Sequence, residues 1–312
     1  MTNFSYAIIG TGAIGGYYGA CLQKSGKEVH FLLRSDYDHV REKGLVIQSL
    51  HGDFNLPQVQ AYQQAKSMPK CDVVIVALKA TQNHELKNIL PYVVKDDGVV
   101  LLLQNGLGAE AEIAAIVGQT TVMGGLCFIC ANKIAPGHIH HIDYSGIIIG
   151  QYAPNYKACG ITVEMQQVVE DLNEAGLEVS VSEDLYATRW EKLVWNIPYN
   201  GLSVVLDATT REMMADSQIR SLVESLMQEV VLGAKACQRE ISDDFVRFMF
   251  KRTEQMKPYL TSMKLDYDAH RPLEIEAIFG ESLRLANAAG VELPQIKMLY
   301  QQLKFIDSRQ KT

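Results

Sequence analysis

One short segment constrains this chain more than any other: Gly10-Thr11-Gly12-Ala13-Ile14-Gly15. It fits G-x-G-x-x-G, a pattern that by itself recurs by chance. Here it follows the apolar run Tyr6 to Ile9 and opens a segment with helical spacing, Gly12 to Lys24. Strand, glycine turn and helix in that order make a dinucleotide-binding device. Gly10 permits the tight turn, Gly12 lets the backbone approach a pyrophosphate, and Gly15 lets the helix pack closely on the strand. Thr11, Ala13 and Ile14 complete the loop, and the helix N-terminus supplies amide donors and partial positive charge for the phosphates.

The rest of the first half supports a sheet to carry that loop. Val29 to Leu33, Val73 to Leu78 and Val99 to Leu103 are continuous Val/Ile/Leu runs, the mark of strands covered on both faces. Helical stretches separate them, one around His84 to Tyr92, and strand–helix alternation means a parallel sheet. Val122 to Tyr152 has short β-branched runs and a Pro136-Gly137 turn, which predict two or three further strands. Ile161 to Glu174 predicts an amphipathic helix ending at Gly176, and Leu177 to Val181 a last strand. From Glu183 onward only helical patterns remain: Glu183 to about Leu206, Ser217 to Gln238, Asp243 to Met256, Glu274 to Ala289 and Leu293 to Ile306. The expected architecture is an α/β domain with a mainly parallel sheet over residues 1–183, then an all-α domain over 184–312. A length of 312 residues suits two domains.

Composition narrows the partners. Lys and Arg total 29 against 36 Asp and Glu, a formal charge of -7, with no long basic run. Nucleic acid is therefore not an expected partner. No apolar stretch reaches the roughly 18 residues of a membrane span, and the N-terminus shows no signal-peptide pattern, so the expected location is the cytoplasm, with no membrane partner. The six cysteines are too sparse for a disulfide framework. Cys127-x-x-Cys130 lacks the second pair a zinc site would need. His138, His140 and His141 have no acidic or cysteine partner nearby, so no metal is expected.

The end of the second strand selects the cofactor. An Asp or Glu about 20 residues past the glycine loop usually bonds the ribose 2′-OH of NAD. Here Phe31-Leu32-Leu33 leads into Arg34-Ser35. A guanidinium fork pairs well with a 2′-phosphate, which favours NADP, although Asp36 is close by. Lys79 follows the Val73 to Leu78 strand and offers a second cation. Gln104-Asn105-Gly106 follows the next strand, and Asn105 has a donor and an acceptor for the nicotinamide or substrate. The plain alternatives are a solvated Arg34 or Lys79 and a simple Asn-Gly turn.

In the second half, Trp190-Glu191-Lys192-Leu193-Val194-Trp195-Asn196-Ile197-Pro198-Tyr199-Asn200 stands out. Lys192, Asn196 and Asn200 are spaced i, i+4, i+8, so a helix puts them on one face. Their neighbours are mostly apolar, and burying polar groups there is costly unless something satisfies them. A lysine and two amides on one stripe suit a polar ligand; a solvated face is the alternative. Pro198 is expected to kink or loosen the helix. Downstream, Ser262 and Glu274 could join a carboxylate-and-hydroxyl network, but by spacing alone Glu274 reads as a helix-dipole partner.

Taken together, the glycine loop, Arg34, Leu78-Lys79-Ala80, Gln104-Asn105-Gly106, Trp190-Glu191-Lys192 with Asn196 and Asn200, and Ser262-Met263 with Glu274 resemble the ketopantoate reductase family over nearly the whole chain. The resemblance implies a Rossmann-type N-terminal domain, an all-helical C-terminal domain, an active site in the cleft between them, and NADPH-dependent reduction of 2-dehydropantoate to pantoate on the way to coenzyme A. It implies catalysis by Lys192, substrate binding by Asn105, Asn196, Asn200, Ser262 and Glu274, and cofactor contacts at Gly10 to Gly15, Arg34, Lys79, Asn105, near Cys130, and Glu274. The implied partner is a small 2-oxo acid, with a homodimer as one open assembly. Departures lie on the substrate side: Thr210 and Tyr259 stand where the family often has asparagines, and Thr261-Ser262-Met263 replaces Ser-Ser-Met. They leave a reductase of another 2-oxo acid as the alternative, beside a noncatalytic NADP sensor. A 3-hydroxyacid dehydrogenase also pairs a lysine with an asparagine four residues on, but its Asp-Ala-Pro-Val-Ser-Gly-Gly stretch is absent here.

Overall fold

The computed structural model describes residues 4–256 and 260–310. The chain divides into two units. The first comprises the chain up to Gln104 and Ala109–Leu185; the second comprises Asn105–Gly108 and the chain from Tyr186 onward.

The first unit is built on ten strands: β1 (Ser5–Ile9), β2 (Glu28–Leu32), β3 (Leu45–Ser49), β4 (Phe54–Leu56), β5 (Gln60–Tyr62), β6 (Cys71–Val76), β7 (Val94–Leu102), β8 (Thr121–Ala135), β9 (His138–Gln151) and β10 (Val179–Ser182). The sheet order is β4-β3-β9-β8-β7-β6-β1-β2-β5, and β10 also pairs with β9. Pairing is parallel except at β3–β4 and β8–β9. The helices are α1 (Ala13–Lys24), α2 (Tyr37–Lys43), α3 (Leu90–Val93), α4 (Ala109–Val117) and α5 (Val163–Glu174). The unbroken apolar runs have the expected cause. Alternate residues of β1, β6 and β7 enter two separate cores. Ile8, Ile75 and Leu101 pack with Tyr18, Leu22 and Val168 on one face. Ile9, Val76 and Leu102 pack with Leu90, Val93 and Ile113 on the other.

One expectation needs correction, and one stretch is passed over. No element is predicted between Asp36 and Lys70, yet α2 and β3 to β5 lie there. Two of these strands have three residues each, too short to display alternation. The stretch around His84 to Tyr92 is a 3₁₀ segment, Ala80–Asn88, followed by the single-turn α3 with Pro91 in its first turn, not one α-helix. Val122 to Tyr152 supplies two further strands, as expected: β8 and β9, which form one long hairpin.

The second unit is helical in all its described secondary structure: α6 (Leu185–Val205, its first residue grouped with the first unit), α7 (Thr210–Ala215), α8 (Ser217–Ala236), α9 (Asp243–Gln255), α10 (Ser262–Asp268), α11 (Glu281–Ala288) and α12 (Pro294–Gln310). The Glu274 to Ala289 pattern resolves into a π-helical turn, Glu276–Gly280, running into α11. No helix among the described residues is long and apolar enough to cross a membrane.

Candidate active site

In the first unit, neighbouring parallel strands bring the predicted residues to one edge. The sheet runs β7-β6-β1-β2. Gln104 follows β7, Lys79 follows β6, the glycine loop follows β1, and Arg34 follows β2. Parallel strands end on the same side, where open α/β sheets bind ligands.

The three glycines have three different surroundings. Gly10 has φ +97°, and a Cβ there would lie 2.7 Å from the Leu78 nitrogen. A Cβ on Gly15 would lie 2.4 Å from the Gly10 carbonyl oxygen and 3.0 Å from Ala77 Cβ. A Cβ on Gly12 would meet nothing within 4 Å. Two glycines thus serve close packing, while the third faces open space at the N-terminus of α1. That cradle, with Arg34 beside it, fits a dinucleotide. Thr11 Oγ1 donates to the Leu32 carbonyl at 3.1 Å and ties the loop to the end of β2.

Arg34 is exposed and forms no ion pair among the described residues. Asp36, in contrast, is buried. Its carboxylate accepts from Lys133 Nζ at 2.9 Å, from the Gly137 N–H at 3.1 Å and from Ser35 Oγ at 2.9 Å. Burial alone would raise its pKa, but these three donors outweigh burial and hold it below the usual carboxylate value. Lys79 is half-buried. Gln104 Nε2 donates to the Leu78 carbonyl at 2.8 Å and to Asn83 Oδ1 at 2.7 Å, linking the loops after β6 and β7. Cys130 is buried in β8, opposite Asp143, where the register with β9 shifts on both sides. His141 is buried too: its Nδ1 lies 2.9 Å from Ser49 Oγ and its other nitrogen meets the Tyr144 carbonyl.

In the second unit, Lys192, Asn196 and Asn200 share α6, which Pro198 does not interrupt. Behind the stripe, Trp190, Leu193 and Ile197 are fully buried. Lys192 is half-buried, whereas Asn196 and Asn200 are 5% and 1% exposed. Asn196 Nδ2 has no hydrogen-bond partner among the described residues. Such an amide costs about 1–3 kcal/mol to bury unpaired, so it is poised for an acceptor. Asn200 Oδ1 accepts from the Met263 N–H at 3.4 Å.

Sequence reasoning missed the next residue on this face. Ser203 stands three positions after Asn200, and its Oγ donates to the Asn200 carbonyl at 3.0 Å and shares a 2.8 Å hydrogen bond with Thr261 Oγ1. Thr261 in turn caps α10 through the Lys264 N–H. The α6 stripe therefore docks α10 and fixes Ser262 in its first turn. Ser203 is not on the i, i+4, i+8 series, whose next member is Val204; an i, i+3 step from Asn200, which stays on the same helix face, would have found it. Lys264 adds ion pairs to Asp207, at 2.8 Å, and to Asp268.

Glu274 is 5% exposed and stands two residues before the π-helical turn. The Ala277 carbonyl in that turn accepts from the Leu107 N–H at 3.0 Å. A Cβ on Gly106 would lie 2.2 Å from the same carbonyl oxygen. Asn105, next to Gly106, is thus held against the turn that follows Glu274. Thr210 is buried at the start of α7, whose capping box is Thr209 with Glu212. Tyr259 lies outside the described residues.

Known proteins resemble this chain closely. The family described as ketopantoate reductase PanE/ApbA matches residues 6–154, and its C-terminal counterpart matches residues 184–307. A 2-dehydropantoate 2-reductase of Nostoc sp. is 58% identical over 312 residues, covering 100% of this chain and 98% of the relative. The crystal structure of 2-dehydropantoate 2-reductase from Geobacter metallireducens superposes with a TM-score of 0.92 at 38% identity, covering 96% of this chain and 99% of that one. The ternary structure of D-mandelate dehydrogenase with NADH and anilino(oxo)acetate shares the fold, with a TM-score of 0.88 at 22% identity over 99% of this chain and 100% of that one. On these matches, with a dinucleotide loop in one unit and a Lys-Asn-Asn stripe in the other, the chain belongs to the ketopantoate reductase family.

Proposed function

We propose that this chain is an NADPH-dependent 2-dehydropantoate 2-reductase, which reduces the ketone of ketopantoate to pantoate. The observation that carries the activity is its 58% identity, end to end, with a relative of that name. For NADPH over NADH, the support is Arg34, exposed at the end of β2, together with an Asp36 carboxylate already occupied by Lys133 and Gly137. Lys79, which follows β6 on the other side of β1, is a second cation for the same end of the cofactor.

When bound, the reduced nicotinamide supplies a hydride to the ketone carbon. The chain's own residues manage the charge that then develops on the carbonyl oxygen. Lys192, protonated, stabilises that charge and donates the proton as general acid. The unpaired Asn196 amide, one helical turn further on, donates to substrate and orients it. Asn200 has its carbonyl committed to α10, so its amide nitrogen is the end left to bind substrate. Ser262, held by that contact, takes the carboxylate. Glu274 accepts from a substrate hydroxyl or a ribose hydroxyl and helps hold Lys192. Asn105, anchored through Gly106, binds at the nicotinamide or substrate.

The test is absorbance of the cofactor on adding ketopantoate to the purified protein, with NADPH and NADH at equal concentration. Faster loss of NADPH is expected. Equal rates would contradict the NADPH assignment, and no loss of either cofactor would contradict the activity.

A further inference from the structure

A carboxylate near the end of the second strand ordinarily favours NAD, because it bonds the ribose 2′-OH and repels a 2′-phosphate. Asp36 stands two residues after Arg34, yet its carboxylate is turned to a different use. It accepts from Lys133, Gly137 and Ser35, and its side chain does not cap α2. Two of these donors come from the tip of the β8–β9 hairpin. That tip is held firmly. The Val46 N–H donates to the Gly137 carbonyl at 2.9 Å, and β3 pairs with β9 from His138 to His141. A Cβ on Gly137 would lie 3.0 Å from the Gly44 carbonyl oxygen. The hairpin thus delivers a cation and an amide to a fixed place beside Arg34.

We infer that Lys133 is a determinant of cofactor specificity: by pairing with Asp36 it cancels the charge that would oppose a 2′-phosphate and withholds the carboxylate from a 2′-OH. Arg34 attracts the phosphate; Lys133 removes the objection to it. The inference rests on the NADPH reading above. It also accounts for how this chain keeps an aspartate in the region where NAD-using enzymes place their acid. Without Lys133, Asp36 keeps its hydrogen bonds from Gly137 and Ser35, but its charge loses its counter-ion. Two like charges a few ångströms apart near a protein surface repel strongly enough to change an equilibrium about tenfold.

The experiment is the ratio of kcat/KM for NADPH to that for NADH in four proteins: unmutated, Lys133→Met, Lys133→Arg, and Lys133→Met with Asp36→Asn. The unmutated ratio is expected to favour NADPH; a ratio near one would overturn the NADPH reading itself and this inference with it. Given that preference, Lys133→Met is expected to lower the ratio about tenfold through KM, with kcat for NADPH unchanged. Lys133→Arg is expected to keep the ratio, and Asp36→Asn to restore it in the Lys133→Met background. Loss of hairpin structure alone would not be repaired by neutralising Asp36. An unchanged ratio in Lys133→Met, or no restoration in the double variant, would overturn the role of Lys133 while leaving the NADPH reading intact.

Discussion

The glycine edge of the first unit and the polar stripe of the second solve opposite problems. At the glycine edge the functional element is backbone and empty space: Gly10 and Gly15 are crowded, and Gly12 faces nothing. On the stripe the functional elements are side chains, two of them buried amides, and one amide nitrogen has no partner among the described residues. The first site stands ready without strain. The second carries an unmet hydrogen bond, so the helical unit is where substrate binding has most to gain. The division predicts that substitutions at the edge change cofactor affinity or folding, while substitutions on the stripe change turnover.

The largest effect is expected at Lys192. Lys192→Ala should cut kcat by about 10²–10⁴-fold, with NADPH affinity, followed by fluorescence titration, nearly unchanged. A parallel loss of cofactor affinity would break the division of roles.

Arg34→Ala should do the reverse. One charge-assisted pair is worth about 1.5–3 kcal/mol, so NADPH affinity should fall roughly 10- to 150-fold while NADH affinity stays constant. An equal loss for both cofactors would show that Arg34 does not meet the 2′-phosphate.

The two glycines sharpen the comparison within the edge itself. Gly10→Ala places a Cβ against the Leu78 backbone at positive φ, and should lower the melting temperature by several degrees, as a loss of about 1–3 kcal/mol would. Gly12→Ala meets open space, so the melting temperature should hold while NADPH affinity falls. Equal melting temperatures for the two variants would contradict the packing described.

The smallest effect concerns the π-turn next to Glu274. Burial would raise the pKa of Glu276, but Arg284, Tyr300 and Lys304 donate to it and lower it to about 2. A carboxylate lowered on folding stabilises the protein above its unfolded pKa, and that contribution is lost as pH falls towards about 2. Glu276→Gln should flatten the acid-side loss of stability in that window, in chemical denaturation at stepped pH. Because the group is half-exposed, the change should be slight.

How legible these regions were in the sequence follows from their physics. The glycine loop and the buried apolar runs of β1, β6 and β7 are local patterns, readable because chain geometry dictates them. The Lys192 stripe was readable because a helix repeats. The Asp36–Lys133 pair joins residues 97 positions apart, and nothing near either residue announces the other. It also depends on β3, which holds the hairpin strand β9 by pairing that is itself non-local. Pro198 misled for a related reason: the missing N–H is a local fact, but packing around α6 keeps the helix continuous. Ser203 lay three residues past Asn200 on the same helix face, but its role appears only once Thr261 is brought to it.

The central claim is that the stripe and its partners are shaped for a 2-oxo acid bearing a hydroxyl. A site built to bond a hydroxyl rejects an analogue without one, since its own polar groups are then left unpaired. The direct measurement is kcat/KM, with NADPH, for ketopantoate against 3-methyl-2-oxobutanoate, which has the same branched 2-oxo acid core without the hydroxyl. The account predicts a clear preference for ketopantoate that shrinks in Glu274→Ala. Equal or better reduction of the hydroxyl-free acid would contradict it.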